Sequence, residues 1–255
     1  MRKSRSMRPG GAFQAAGSGN GGNGGYTTAA VNFDGTNDYL THDAGLTGEA
    51  DSKLGIFSCW FNRGADGFAR WIDVKFSYMH IVFGFNNLFG FSFRNAAGTI
   101  NFNITSSAIV AADGWTHVMA SWNLAGPTTH LYVNGVEDNH VNTANDSDVN
   151  YTQTFWTIGA EDDGDSKYNG DVADFYWNIA EYLDLSVSGN RAKFIDGSGK
   201  PVDLGADGST PTGTAPIMFH KADAATPANF ANNLGGAGNF TVQGTLTNAS
   251  STPSD

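Results

Sequence analysis

Residues 99–105 read TINFNIT, in which Ile100, Phe102 and Ile104 alternate strictly with Asn101 and Asn103. A period of two places the apolar set on one face and the amides on the other, the pattern of a half-buried strand and not of a helix. The same period groups Ile81, Phe83 and Phe85, and after an Asn86-Asn87 turn it groups Phe89, Phe91 and Phe93, so a hairpin is expected there. A second hairpin is marked more strongly: Leu131 and Val133 alternate directly into Asn134-Gly135, the favoured pair for a type I′ turn. Further strands are expected at 55–62, 69–74, 115–123, 154–159 and 168–178. Trp115, Val118 and Trp122 fall in a stretch apolar on both faces, as in a strand covered on each side.

Composition supports the same class. Only 15% of residues are charged, against 40% hydrophobic and 33 glycines, so turns and uncharged polar groups stand where a helical protein would carry Lys and Glu. The fold expected is all-β, a sandwich or barrel of strands joined by Gly and Asn turns. One helix is predicted at 186–195, where Val187, Arg191 and Phe194 share a face and Gly197 ends it. Residues 197–255 are rich in Gly, Ala, Ser, Thr and Pro and read as an irregular tail packed on the domain. No internal repeat of fixed period is present.

Charge divides the chain. Arg2, Lys3, Arg5 and Arg8 are four of the 14 basic residues, and the rest of the chain carries all 25 acidic ones. A basic glycine-rich arm (1–25) with nothing to bury therefore precedes a body with a net charge of about −15. The body lacks the clustered cations that nucleic acid demands. The basic start lacks the apolar run of a signal peptide, and no stretch is long and apolar enough for a transmembrane helix, so neither Sec-type export nor a membrane partner is expected. A single cysteine, Cys59, leaves no internal disulfide and reads as a buried thiol.

Three segments in order carry a family resemblance: VNFDGTNDYLTH at 31–42, DGWTHVMASWN followed by THLYVNGVE within 113–137, and FWTIGAEDDGDSKYNGDVADFYWNIA at 155–180. Together they resemble the concanavalin A-like lectin/glucanase superfamily, specifically its laminin-G-like branch. The resemblance implies a jelly-roll β-sandwich over 26–180, in which GWTHV, with His117, is core. Beyond it, composition and pattern lead to the expectation of a largely irregular C-terminal extension with one short helix over 181–255. That extension, from EYLDLSVSGNRAKFIDGSGK onward, resembles those found after laminin-G-like domains in tailed-phage and prophage structural proteins.

No catalytic constellation stands out. Glycosidases of this superfamily resemble one another in a strand bearing Glu-x-Asp-x-Glu, which aims two carboxylates into one cleft. The nearest match here, from Glu161 through Asp162, Asp163 and Gly164 to Asp165, has Asp for the second Glu and lies where a loop should begin. The same run makes Asp162, Asp163 and Asp165 the candidate ligands for calcium, the one cofactor considered, because hard cations take several closely spaced oxygens. His42, His80, His117, His130, His140 and His220 make no metal-binding spacing. No nucleophile elbow, P-loop or dinucleotide fingerprint is present. Sugar rings stack on aromatic faces, so Trp71, Trp156, Tyr168 and Trp177 are the candidate carbohydrate contacts if any reaches the rim.

The expectation is a non-enzymatic virion structural or decoration protein of a tailed bacteriophage, on a capsid surface, head fibre or tail. It would be assembled in the host cytoplasm with other virion proteins or copies of itself, with the arm as its tether. The alternative is a carbohydrate-binding adhesin for host surface glycans, with calcium as its candidate cofactor.

Overall fold

The computed structural model describes residues 26–75 and 78–255, so the arm with Arg2, Lys3, Arg5 and Arg8 lies outside the described residues. The first strands are β1 (Val31–Asp34), β2 (Tyr39–His42), β3 (Leu54–Arg63), β4 (Ala69–Val74), β5 (Met79–Phe83), β6 (Leu88–Arg94), β7 (Ile100–Ala108) and β8 (Trp115–Asn123). They are followed by β9 (Thr128–Val133), β10 (Val136–Glu137), β11 (His140–Ala144), β12 (Trp156–Ile158) and β13 (Asn169–Asn178). The C-terminal segment adds β14 (Met218–His220), β15 (Thr241–Gln243) and β16 (Thr247–Asn248).

These strands form two antiparallel eight-stranded sheets. The first runs β10-β9-β8-β3-β13-β1-β16, with β14 also on β13; the second runs β11-β7-β6-β5-β4-β12-β2-β15. The order agrees with the jelly-roll sandwich expected from the sequence. Asn134 and Gly135 both have positive φ, 49° and 76°, as a type I′ turn requires. Gly55 is the site of closest approach in the first sheet: it lies opposite Trp122, and a Cβ there would come within 2.1 Å of the indole.

Alternation sorts the side chains. Phe57, Cys59 and Phe61 of β3 and Val118, Ala120 and Trp122 of β8 face the second sheet, where they meet Phe83, Phe89, Phe91, Phe93 and Phe102. Many ring pairs are edge-on, such as Phe57–Phe91 at 5.2 Å and Phe61–Trp71 at 5.2 Å, the arrangement that ring quadrupoles favour. His117 points the other way, fully buried, bonded to Ser58 Oγ at 2.8 Å and stacked on Trp60.

Three expectations are corrected. Phe85 does not continue β5: Gly84 donates to the Leu88 carbonyl and Asn87 takes a φ of 63°, so the strand ends at Phe83 and Phe85 is 86% exposed. The helix is one turn only, α1 (Ser188–Arg191). The C-terminal segment is more than an irregular tail. Its β15 and β16 are the edge strands of the second and first sheets respectively. Its Leu185, Phe194, Ile195, Leu204 and Phe219 build a second core with Ile56, Trp60, Met119, Tyr132 and Tyr176 on the outer face of the first sheet.

Candidate functional site

Because the C-terminal segment covers the outer face of the first sheet, the second sheet's outer face is the one left for contact. Register and burial identify its side chains. On β5 and β6 the inward Ile81 pairs with Phe91, so the outward neighbours are His80 opposite Ser92 and Val82 opposite Gly90. The row continues onto β7 with Asn103 beside Ser92 and Thr105 beside Gly90, and reaches β11 at His140 and Thr143. The lining is thus mostly uncharged and rich in hydroxyl and amide groups.

The charged groups gather at β4. A bulge between Arg70 and Ile72 lets both Trp71 and Ile72 enter the core while Arg70 and Asp73 face out. Arg70 Nε donates to Glu161 Oε1 at 2.9 Å, and Arg70 Nη1 lies 3.6 Å from Asp73 Oδ1. The turn from Glu161 to Asp165 folds over Asp73, whose Oδ2 accepts the Asp162 amide at 3.2 Å. Asp73 is fully buried, and its Oδ1 has no hydrogen-bond partner among the described residues. Burial pushes its carboxyl up to about 7, against the lowering pull of Arg70 and the Asp162 amide. Opposite it on β5, burial pushes His80 down to about 3, helped by the charges of Arg70 and Arg94, so His80 is neutral. Beside this turn Asp43, Lys75, Thr154, Phe155 and Asp162 line a cleft of about 400 Å³.

One end of the face carries aromatic rings. Phe85 stacks on Phe68 with centroids 4.8 Å apart and planes at 24°, and the Arg70 guanidinium lies 5.2 Å from the centre of Phe68.

The ring candidates from the sequence are not at this site. Trp71, Trp156, Tyr168 and Trp177 are all at most 1% exposed and packed between the sheets, so none can stack on a sugar. Phe68 and Phe85 went unrecognised, because alternation assigned Phe85 to the core. Glycine at position 84, a turn former, was the available signal.

Nor do Asp162, Asp163 and Asp165 converge as a calcium cage. The Asp163 carboxylate instead accepts the Asp165 amide at 3.0 Å. Among the described residues no group of three or more His, Cys, Asp or Glu side chains is placed to hold a metal ion. Glu161 and Asp165 are likewise the two ends of a turn, Glu161 N donating to Asp165 O. No described helix is long and apolar enough to cross a membrane.

The laminin-G-type family model of the concanavalin A-like lectin/glucanases superfamily matches residues 20–179, more than half of the chain. The chain belongs to this superfamily. A candidate carbohydrate-binding protein from Bacteroides ovatus shares the fold at 12% identity and a TM-score of 0.60, over 89% of this chain and 61% of that one. That coverage runs beyond the superfamily match, so the likeness takes in part of the C-terminal segment. The chain accordingly spans less than two thirds of the Bacteroides protein. Two more distant structures are the mouse laminin α1 chain domains LG4-5, at 13% identity and TM-score 0.44, and the Ruminococcus gnavus IT-sialidase CBM40 bound to α2,3 sialyllactose, at 12% and 0.44. The first covers 64% of this chain and 45% of that one; the second covers 62% and 93%. No curated protein matches the chain.

Proposed function

We propose that the protein is a non-catalytic glycan-binding module that takes neutral carbohydrate on the outer face of its second sheet. The observation that carries this reading is the asymmetry of the sandwich: one face is sealed by the C-terminal core, and the other presents Asn103, Thr105 and Thr143, with the Arg70–Glu161 ion pair at β4. A polyol needs donors and acceptors at close spacing without a net field, which such a lining supplies. The superfamily membership and the Bacteroides protein's description are consistent with it. A glycan array probed with the full chain, with and without chelator, tests it. Binding is expected on neutral glycans and unchanged by chelator, since the acidic turn does not form a cation cage. Thr105→Arg, which projects a long charged chain over the face, is expected to abolish binding; wild-type silence on the whole array overturns the reading.

A second reading concerns assembly, and the division of charge between arm and body supports it. Residue 26, where the basic arm joins the body, is tied to the first sheet: Tyr26 donates to Asp174 and stands beside Lys221 of the C-terminal segment. The arm therefore joins the body away from the open face. We propose that the chain is a virion surface protein of a tailed phage, held by Arg2, Lys3, Arg5 and Arg8 to a particle component or to another copy of itself, with host glycans met by the opposite face. Deleting residues 2–25 is expected to leave a folded, glycan-binding body that no longer enters particles in a co-assembly assay; unchanged incorporation overturns the tether.

A further inference from the structure

Resting on the glycan-binding reading, we propose that Phe85, backed by Phe68, offers its free face as a stacking platform for one pyranose ring of gluco configuration in a neutral glycan.

Three observations converge on these rings. Among the described residues Phe85 is the most exposed large hydrophobic side chain, at 86%, and one of its ring faces rests on Phe68. The turn that bears it is braced from below. Asn87 Oδ1 accepts from Arg63 Nη1 at 3.0 Å and from the Gly67 amide at 2.8 Å, tying the β5–β6 turn to the loop that carries Phe68. Arg63 itself is buried over the Phe83 ring, and its guanidinium also donates to the Ile109 and Gly67 carbonyls at 2.6 and 2.8 Å. An apolar ring standing in water on a braced turn releases that water when a ligand covers it, which favours an aromatic anchor.

The neighbours specify the occupant. Behind the exposed ring, Arg70 lies against Phe68 and bonds Glu161, so the charge nearest the platform is already paired. A lipid or a purely apolar partner would have to take this ion pair out of water, and a polyanion would meet an already neutralised guanidinium on an acidic body. A gluco-configured pyranose offers a flat face of axial C–H groups to cover the ring while its equatorial hydroxyls stay at the edge in water.

Cellohexaose is the probe, titrated into the full chain by calorimetry and by NMR of the aromatic side chains, with hexagalacturonate as its anionic counterpart. Cellohexaose is expected to perturb the Phe68 and Phe85 ring signals, while hexagalacturonate does not. Phe85→Ala is expected to weaken binding by about tenfold and Phe85→Trp to preserve it, with thermal stability unchanged because Phe85 supports nothing beneath it but Phe68. If Phe85→Ala binds cellohexaose as wild type does while Thr105→Arg does not, the platform is overturned and the open-face reading stands. If hexagalacturonate binds and cellohexaose does not, the neutral-sugar assignment is overturned. Silence toward both probes from a chain that binds another glycan on the array overturns the platform's gluco specificity alone, and silence toward every glycan overturns the reading beneath it.

Discussion

Asp174 sits in a bulge of β13, where the pairing with β3 slips between Ala173 and Tyr176, and it holds a φ of 46° while 2% exposed. Its carboxylate accepts from Thr28 Oγ1 at 3.0 Å and from the Tyr26 hydroxyl, so it anchors the start of the body. Burial dominates over these hydrogen bonds and lifts its carboxyl to about 6 from the usual 3.8. The folded state therefore keeps this proton better than the unfolded chain does. The associated stability is full below about 3.8, falls as pH rises toward about 6, and is level above it. Asp174→Asn removes that fall. Asparagine also suits a positive φ and can serve both hydroxyls. In urea denaturation at pH 4 and pH 7, the variant is expected to gain up to ~3 kcal/mol over wild type at the higher pH and little at the lower.

Among the elements, β3 and β8 form the spine of the first sheet, and Gly55 is there because Trp122 lies across its partner position. Gly55→Ala is expected to destabilise by about 1–3 kcal/mol, since the Cβ cannot enter without moving the indole that stacks on Phe102 at 4.8 Å. Urea unfolding followed by tryptophan fluorescence measures it. The Asn134-Gly135 hairpin is a second such case: alanine at 135 must adopt a φ of 76°, and a loss of about 1 kcal/mol is expected in the same assay. Both elements were legible from residue type, the hairpin from its Asn-Gly pair and β8 from apolar residues on both faces. The β4 bulge was not. Nothing in Arg70-Trp71-Ile72-Asp73 announces that two successive apolar side chains turn inward, yet this sets Arg70 and Asp73 side by side on the outer side of the second sheet, with Asp73 covered by the Glu161–Asp165 turn.

For the molecule as a whole, the division of the sequence at residue 180 does not mark the end of the packed structure. Truncation there would strip edge strands from both sheets and uncover Ile56, Trp60, Met119, Tyr132 and Tyr176. Apolar surface of this extent in water drives association. The 26–180 fragment is expected to bind the dye ANS strongly and to aggregate, whereas the 26–255 chain unfolds cooperatively; a soluble monomeric 26–180 fragment with native near-UV dichroism would contradict this. The same cover explains why binding is sought on one face only.

What the sequence by itself determined is the all-β class, the superfamily, and the placing of β3, β4, β8, β12 and β13 to within two residues at either end, because alternation and turn chemistry are local properties. What only the tertiary structure decided is which face is free and which rings reach it. The large rings at 71, 156, 168 and 177 went inside because the space between two sheets takes the largest apolar volumes. The exposed Phe85 follows from a local turn that Gly84 marks, whereas the sealing role of the last residues follows from what a distant segment covers. That second fact is long-range, and local pattern carries no record of it.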